Sequence, residues 1–181
     1  MVPILVATVR SLRPAQWVKN ALVFAPLIFA QHAFDRHALA RSLAAFALFC
    51  LASGAVYLLN DLLDRESDRR HPVKRLRPIA SGALPPAAAA LAAVVIGAGA
   101  LFTATLLDRR LALVLGIYLL LNLAYSRMLK HVVILDVMTI AAGFVLRVVA
   151  GGLAVGVPLS SWLLLCTSLL ALFLGFGKRR H

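Results

Sequence analysis

The chain consists of a succession of long apolar runs that are separated by short clusters of Arg and Lys. Hydrophobic residues make up 62% of its 181 positions, and its mean hydropathy is +0.91. No soluble domain has a comparable composition. A helix needs about 20 predominantly apolar residues to cross the hydrocarbon core of a bilayer, and runs of that length recur along this chain. The sequence therefore predicts an all-α fold, a polytopic transmembrane helix bundle.

Six runs are long enough to span a membrane, and we expect them to form a single transmembrane domain over residues 1–181. We place the spans at residues 17–34, 41–63, 86–107, 111–128, 132–155 and 160–176. Pro14 lies near the start of the first helix, where proline is favoured, and Pro26 is expected to kink that helix. The alanine-rich first half of the third span is suited to close helix packing.

The net charge of +12 arises from bursts of basic residues between the apolar runs. This distribution is typical of cationic loops in a membrane protein, so we expect no nucleic-acid partner. With a cytoplasmic N-terminus, 14 Lys and Arg residues fall on the inner side and 4 on the outer side, and Arg147 lies inside a span. The bias predicts a multi-pass protein of the cytoplasmic (inner) membrane, whose second span ends on the cytoplasmic side.

Four of the seven acidic residues, Asp61, Asp64, Glu66 and Asp68, fall at the end of the second span. If that helix continues to Asp68, then Asn60, Asp64 and Asp68 lie on one stripe at i, i+4 and i+8. Three oxygen-bearing side chains on one stripe at a membrane edge are suited to a hard cation such as Mg²⁺. The alternative is a solvated helix end with mixed charges, which does not require acids at a helical repeat.

Basic and polar side chains are expected to surround the acidic stretch if the cytoplasmic ends of the helices converge. Cationic groups beside a divalent ion are typical of sites that bind a diphosphate. Each basic residue taken alone is equally well explained as a signal of membrane topology. The candidate substrate-binding residues are Lys19, Asn20, Lys74, Arg75, Arg77, Tyr125, Lys130, Arg147 and Lys178.

Arg147 and Asp136 place two charges in the fifth span. They are 11 residues apart, close to three helical turns, and therefore share a face of the helix. A charge at membrane depth normally faces a cavity or a partner. Arg147 is thus either half of a structural ion pair with another helix or part of the polar floor of an active-site cavity. Gly143, Gly151 and Gly152 predict a close approach of another helix to this span.

The pattern Asn60-Asp61-x-x-Asp64-x-x-x-Asp68, followed by a basic loop, resembles the first aspartate-rich motif of the UbiA-type intramembrane prenyltransferase superfamily. Further motifs resemble one branch of it, the decaprenyl-phosphate phosphoribosyltransferases, and together they cover essentially the whole chain. These motifs are Arg13-Pro14-x-Gln16-Trp17-x-Lys19-Asn20, His71-Pro72-x-Lys74-Arg75-x-Arg77-Pro78, Tyr125-Ser126-x-x-Leu129-Lys130, Gly143-Phe144-x-Leu146-Arg147 and Gly175-Phe176-Gly177-Lys178.

The resemblance implies transfer of 5-phosphoribose from phosphoribosyl diphosphate to a polyprenyl (decaprenyl) phosphate, for synthesis of a precursor of cell-wall arabinan. It implies that Asn60, Asp64 and Asp68 bind Mg²⁺ and that Asp61 is a further ligand or orients the ligands, which makes the three aspartates catalytic. The basic candidates in the loops would hold the donor phosphates. Lys19 or Arg147 would meet the phosphate of the lipid, whose tail would lie between apolar spans.

The resemblance also sets expectations about the extent of the domain and about its function. The family fold has about nine spans, so six spans correspond to a partial UbiA-like domain, and a homo-oligomer is among the expected assemblies. Family members that prenylate aromatic rings carry a second aspartate-rich motif near the end of span six, where this chain has no acid. The phosphoribosyl branch is therefore favoured over an aromatic prenyltransferase that uses a polyprenyl diphosphate. The residues are also compatible with an anion transporter or with an inactive fragment.

Overall fold

The computed structural model describes residues 3–127 and 133–179. Within these ranges the chain is helical and contains no strand, which confirms the all-α prediction. The first elements are α1 (Ile4–Ser11), a 3-10 helix (Pro14–Phe24) and α2 (Ala25–Phe29). The later elements are α3 (Arg36–Leu63), α4 (Arg65–Arg70), a short 3-10 helix (Lys74–Leu76), α5 (Pro86–Leu107), α6 (Arg109–Arg127), α7 (Val133–Val155) and α8 (Ser161–Arg179).

Four of the described helices, α3, α5, α6 and α7, are long and apolar enough to cross a membrane. They correspond to the predicted second to fifth spans, although α3 begins earlier than predicted because Asp35 caps it. The Asp35 carboxylate accepts hydrogen bonds from the backbone N–H groups of Ala38 and His37, and these bonds lower the pKa of Asp35. Positions 128 and 132, at the predicted ends of two spans, lie outside the described residues. The predicted sixth span is α8, whose apolar part is shorter than the other four.

The prediction of one helix over residues 17–34 is wrong. The 11-residue 3-10 helix and the 5-residue α2 occupy most of this stretch, and the chain turns after Phe29. Because a 3-10 helix rises about 2.0 Å per residue and an α-helix about 1.5 Å, the lengths of the two helices add up to about 30 Å. This length matches the thickness of the hydrocarbon core, about 30 Å, although the stretch contains fewer residues than an α-helical span requires.

Helix α3 is the centre of the bundle and packs against α5, α6, α7 and the first 3-10 helix. Its apolar stretch is 61% buried, compared with 17% for α5, which is the least buried of the four. The largest core cluster joins Phe49 of α3, Leu115 and Tyr118 of α6, and Ala150 and Ala154 of α7. The small alanine side chains let the backbone of α7 approach its neighbours.

The loop between α3 and α5 is anchored by its own apolar residues. Ile79 and Leu84 are fully buried, in a second core cluster with Leu58 of α3 and with Ala89 and Ala93 of α5. Full burial of an aliphatic side chain of this size contributes about 1.5–3 kcal/mol. The loop is therefore docked on the bundle, and the basic residues that precede Ile79 have a defined position relative to the end of α3.

Of the three glycines for which a close approach of another helix was predicted, Gly151 meets the backbone of the 3-10 helix, whereas Gly143 and Gly152 face side chains. A Cβ atom on Gly151 would lie 2.0 Å from the carbonyl oxygen of Val23 in the 3-10 helix. A Cβ atom on Gly152 would lie 2.5 Å from Leu159 Cδ2. Since a backbone oxygen cannot move away as a flexible side chain can, Gly151 sets the distance between α7 and the 3-10 helix.

We expect Gly151→Ala to lower the free energy of unfolding by about 1–3 kcal/mol, because the added methyl group forces α7 and the 3-10 helix apart. Gly99→Ala is the matched control, since a Cβ atom there meets nothing within 4 Å. Thermal unfolding in detergent, followed by circular dichroism, measures both variants. Equal unfolding temperatures for the two variants would contradict the close contact.

Candidate active site

Helix α3 ends at Leu63, and the backbone changes direction at Asp64 before α4 begins. The i, i+4 hydrogen bonds nevertheless continue through this junction. The Asp64 N–H donates to the Asn60 carbonyl at 2.9 Å, and the Asp68 N–H donates to the Asp64 carbonyl at 2.8 Å. The predicted end of the second span at residue 63 is therefore confirmed, and the backbone hydrogen bonds link Asn60, Asp64 and Asp68 at i, i+4 and i+8 although α3 itself does not continue to Asp68.

Asp61 and Asp68 are buried carboxylates that share one guanidinium group. Arg77 Nη1 donates to Asp68 Oδ2 at 2.6 Å and to Asp61 Oδ1 at 3.2 Å. Arg13 Nη2 donates to Asp61 Oδ1 at 2.5 Å. The side chains of both aspartates are only 3% exposed. Because an unpaired charge buried this deeply is strongly destabilising, the two arginines supply the counter-charge that both carboxylates need inside the fold.

Arg13 reaches Asp61 from an unusual backbone conformation. Its φ and ψ angles are 53° and 63°, in the left-handed region, which costs a non-glycine residue roughly 1–2 kcal/mol. Its guanidinium also lies 5.0 Å from the centroid of the Tyr57 ring. The ion pair and the cation–π contact together offset the backbone strain. Arg13 belongs to a motif that was recognised in the sequence, but it was not predicted as a site residue.

The oxygen-bearing side chains at the end of α3 face a cavity of about 340 Å³, which we call the carboxylate cavity. Three of them, Asn60, Asp61 and Asp64, form one part of its wall, and Lys74 and Arg77 form another. Asn60 Oδ1 accepts a short hydrogen bond from Ser126 Oγ of α6. The full lining is Arg13, Tyr57, Asn60, Asp61, Leu63, Asp64, Lys74, Arg77, Tyr125 and Ser126. The cavity therefore presents oxygen ligands and cations to the same space.

The predicted Mg²⁺ ligands do not all line this cavity. Asn60 and Asp64 do, together with Asp61, whereas the Asp68 carboxylate is bound to Arg77 and is not part of the wall. In residues 3–127 and 133–179, no three His, Cys, Asp or Glu side chains are grouped to hold a metal. Mg²⁺ usually takes one or two carboxylates and completes its shell with water and substrate phosphates. The hard oxygens of Asn60, Asp61 and Asp64 fit that requirement.

A second cavity of about 570 Å³ adjoins the first, and we call it the cation cavity. Its wall contains Arg13, Lys19 and Arg147, and all three tyrosines of the chain. Arg13, Tyr57 and Tyr125 line both cavities, which therefore share a wall. The full lining is Arg13, Gln16, Lys19, Tyr57, Tyr118, Asn122, Tyr125, Thr139, Ile140, Gly143, Phe144, Arg147, Leu174 and Gly175.

Arg147 is buried, with 8% of its surface exposed, and it is held by neutral oxygens. Its Nε donates to Asn20 Oδ1 at 2.7 Å, its Nη1 to the Gly143 carbonyl at 2.6 Å and its Nη2 to the Tyr118 hydroxyl at 3.0 Å. Within the described ranges, no carboxylate forms an ion pair with it. Of the two roles that the sequence allowed for Arg147, the structural ion pair with another helix is therefore not found within the described ranges.

Asn20 was predicted to bind substrate, but it lines neither cavity. It is 1% exposed, and its Nδ2 donates to Ser53 Oγ at 3.2 Å and to Cys50 Sγ at 3.3 Å while its Oδ1 accepts from Arg147. Its role is to fix the guanidinium of Arg147 against α3. Asp136 was expected to share a helix face with Arg147, and its Oδ1 accepts a hydrogen bond from the Tyr125 hydroxyl at 2.8 Å.

The remaining predicted substrate-binding residues are distributed unevenly. Lys19 and Tyr125 line the cation cavity, Tyr125 also lines the carboxylate cavity, and Lys74 lines the carboxylate cavity. Arg75 is exposed and lines neither of them. Lys130 and the side chain of Lys178 lie outside the described part of the structure.

A polar stripe in α6 could have revealed more of the site from sequence. Tyr118, Asn122, Tyr125 and Ser126 recur at i, i+4, i+7 and i+8 in a helix that is otherwise largely aliphatic. All four line one or both cavities. Polar residues that share one face of a membrane-spanning helix normally face the interior of the bundle or a cavity.

The fold is that of a solved membrane-type helix bundle. A UbiA homolog from Archaeoglobus fulgidus, solved bound to GPP and Mg²⁺, superimposes with a TM-score of 0.77 over 92% of this chain and 60% of that chain. The sequence identity is 22%, so this likeness establishes the fold alone. Together with the four apolar spans, it defines the chain as a membrane protein of the intramembrane helix-bundle class.

More particularly, the chain belongs to the UbiA prenyltransferase family, which residues 21–178 match. The decaprenyl-phosphate phosphoribosyltransferase of Mycobacterium tuberculosis (strain H37Rv) is 42% identical over 175 residues, which cover 94% of this chain and 58% of the relative. The Corynebacterium glutamicum protein of the same name is 43% identical over 177 residues, covering 94% of this chain and 53% of the relative. The chain therefore spans a little more than half the length of these curated relatives, and the resemblance found in its motifs is confirmed.

We expect Arg77→Gln to loosen the loop between α3 and α5. The variant removes the ion-pair partner of Asp68 and leaves Asp61 paired with Arg13 alone. A buried group that loses its partner costs about 1–3 kcal/mol, so hydrogen–deuterium exchange of residues 64–85 should accelerate about tenfold or more. Arg75→Gln, at an exposed position outside both cavities, is the matched control. Unchanged exchange in Arg77→Gln would show that the shared guanidinium does not hold the loop.

Proposed function

We propose that this chain carries the donor site of a Mg²⁺-dependent phosphoribosyltransferase of the inner membrane. The reaction moves 5-phosphoribose from phosphoribosyl diphosphate to a polyprenyl (decaprenyl) phosphate and supplies a precursor of cell-wall arabinan. The names of the relatives that match over 94% of the chain support this assignment. The observation that carries it is the carboxylate cavity, where Asn60, Asp61 and Asp64 face the same space as Lys74 and Arg77.

The chemistry requires charge stabilisation more than proton transfer. The bond between C1 of the ribose and a diphosphate oxygen breaks, and C1 forms a bond to an oxygen of the acceptor phosphate. Diphosphate leaves with the bonding electron pair. The second pKa of a phosphate monoester is about 6, so the acceptor oxygen is ionised near neutral pH and needs no strong general base. Preorganised positive groups around the departing diphosphate therefore supply the larger part of the catalysis.

The residues of the carboxylate cavity divide into two sets with different roles. Lys74 and Arg77 donate hydrogen bonds to the donor phosphates, and Asp68 positions Arg77 through their 2.6 Å contact. Asn60, Asp61 and Asp64 would hold Mg²⁺, which when bound would add positive charge beside the leaving diphosphate. A donor diphosphate bound between these two sets is contacted from both sides, and the ribose C1 of the donor remains open to the neighbouring cavity.

The membrane setting agrees with the two substrates. Phosphoribosyl diphosphate is water-soluble, so the carboxylate cavity has to face the compartment that contains it. The excess of Lys and Arg, 14 against 4, on the side where α3 ends supports the cytoplasmic face. A polyprenyl tail is apolar and reaches the bundle through the bilayer.

The assay uses membranes that contain the protein, phosphoribosyl diphosphate labelled in the ribose, and decaprenyl phosphate. We expect label to enter the lipid fraction with Mg²⁺ present and to remain in the aqueous fraction with EDTA. The M. tuberculosis relative, assayed in parallel, serves as the positive control. Label that stays in the aqueous fraction with Mg²⁺ present, while the relative is active, would refute the assignment for this chain.

We expect Asp64→Ala and Asp68→Ala each to reduce the transfer rate by about 100-fold or more, because the diphosphate loses stabilising charge directly or through a displaced Arg77. Glu66→Gln is the matched control, since Glu66 lies in the same acidic stretch but its side chain is 71% exposed. Initial rates at saturating substrates measure the effect. Mg²⁺-dependent rates close to the unsubstituted protein in both alanine variants would exclude these roles.

We expect Lys74→Gln to raise the KM for phosphoribosyl diphosphate about tenfold with a smaller effect on kcat, because one charged hydrogen bond to the bound donor is lost. Arg70→Gln provides the comparison, because Arg70 is an exposed cation that lines neither cavity. Steady-state kinetics with varied donor concentration measure both constants. An unchanged KM in Lys74→Gln would remove Lys74 from the donor site.

A further inference from the structure

We propose that His71 is a positioning residue for the donor site, whose imidazole ring holds the turn that presents Lys74 to the carboxylate cavity. The inference rests on the proposed function, because it assigns His71 a role toward the diphosphate of the donor. His71 lines neither cavity, so any effect it has on the donor has to pass through the backbone of the loop.

The ring of His71 caps the short 3-10 helix at its N-terminal end. Its Nδ1 atom accepts hydrogen bonds from the backbone N–H groups of Val73 at 3.2 Å and of Lys74 at 3.3 Å. The His71 carbonyl accepts another from the Arg75 N–H at 3.2 Å. Because the first N–H groups of a helix have no partner within it, these contacts satisfy donors that would otherwise be left to water.

The same residue is tied to the end of α4. The His71 N–H donates to the Asp68 carbonyl at 3.2 Å, and the Asp68 carboxylate binds Arg77 at 2.6 Å. Asp68 thereby holds both ends of the segment 68–77, and the His71 ring holds its middle. Pro72 restricts the segment further, since a residue before proline avoids the helical region, and His71 has the extended angles φ −86° and ψ 132°.

Burial of side chains does not account for the shape of this turn. The short 3-10 helix contains no buried residue, and the apolar side chains of Val73 and Leu76 are largely exposed. His71 is exposed as well, so its ring does not serve to fill the core. The turn therefore depends on its polar contacts, and the His71 ring makes two of them.

The 3-10 conformation decides which basic residues face the donor. With three residues per turn, positions i and i+3 lie on one face, and Lys74 and Arg77 both line the carboxylate cavity. Arg75, a third of a turn beyond Lys74, lines neither cavity. In an α-helix, with 3.6 residues per turn, Lys74 and Arg77 would point about 60° apart. The cap that begins the 3-10 helix therefore selects Lys74 rather than Arg75 for the cavity.

Histidine meets this requirement without adding charge. Asn and Asp are the usual residues for such a cap, because their side-chain oxygen accepts from N–H groups two and three residues further on. His71 Nδ1 accepts from these same two positions, so its ring proton is on Nε2 and the ring is neutral. An aspartate at this position would place a negative charge close to the cation that binds the donor phosphates.

The first measurement is steady-state kinetics with varied phosphoribosyl diphosphate. We expect His71→Phe, which keeps a planar ring but has no acceptor, to raise the KM for the donor about fivefold and to leave kcat within about twofold. His71→Asn should return the KM to within about twofold of the unsubstituted protein, since its amide oxygen accepts from the same N–H groups. His37→Phe, at an exposed histidine outside both cavities, is the matched control.

A double-mutant cycle tests whether the effect passes through Lys74. We expect His71→Phe to add less than about twofold to the KM of Lys74→Gln, because the cation that the cap positions is already absent. Full additivity of the two substitutions would overturn the proposal. An unchanged KM in His71→Phe would overturn it too, and so would a KM raised equally in His71→Asn, since the shape of the ring and not its acceptor would then be responsible.

Hydrogen–deuterium exchange of residues 72–77 on the millisecond timescale gives a readout that needs no substrate. We expect exchange to accelerate about fivefold in His71→Phe but not in His71→Asn or His37→Phe. Unchanged exchange in His71→Phe would show that the ring does not hold the turn. Failure of the proposed function appears as an inactive unsubstituted protein. Failure of this inference alone appears as an active protein whose KM does not respond to His71→Phe.

Discussion

Burial of the Asp61 carboxylate at the end of α3 is the constraint on which the site depends. A carboxylate that is 3% exposed has to be neutralised, and here the charge comes from Arg13 and Arg77. Arg13 belongs to the segment before the first 3-10 helix, and Arg77 belongs to the loop after α4. One buried carboxylate therefore fixes where two irregular segments contact the bundle, and Arg13, one of its two partners, lines both cavities.

The membrane-spanning helices were the most predictable part of the fold, because length and apolar composition within a continuous run determine them. Pro86 was predicted to begin the third span, and it is the first residue of α5. The stretch after Arg13 was mispredicted for a physical reason. Its composition does not distinguish an α-helix from a 3-10 helix, and the observed conformation includes a contact between Val23 and Gly151 that joins distant parts of the chain.

The site was predictable to the extent that its residues are neighbours in sequence. The acidic stretch was recognised because its spacing follows a single helix, and three of its polar residues line the carboxylate cavity. The partners of those residues are distant. Arg13 pairs with Asp61 across 48 positions, and Arg147 binds Asn20 across 127 positions. A single sequence gives no sign of such pairs, and so Asn20 was taken for a binding residue although it orients Arg147.

The left-handed backbone at Arg13 sets local backbone strain against charge balance at one position. Glycine adopts that conformation without penalty and would relax the turn, but it would remove the guanidinium that neutralises Asp61 and borders both cavities. A substitution that only relieves the turn would leave Arg77 as the one ion-pair partner of Asp61 among the described residues. The substitution would release backbone strain and at the same time remove the connection between the two halves of the site.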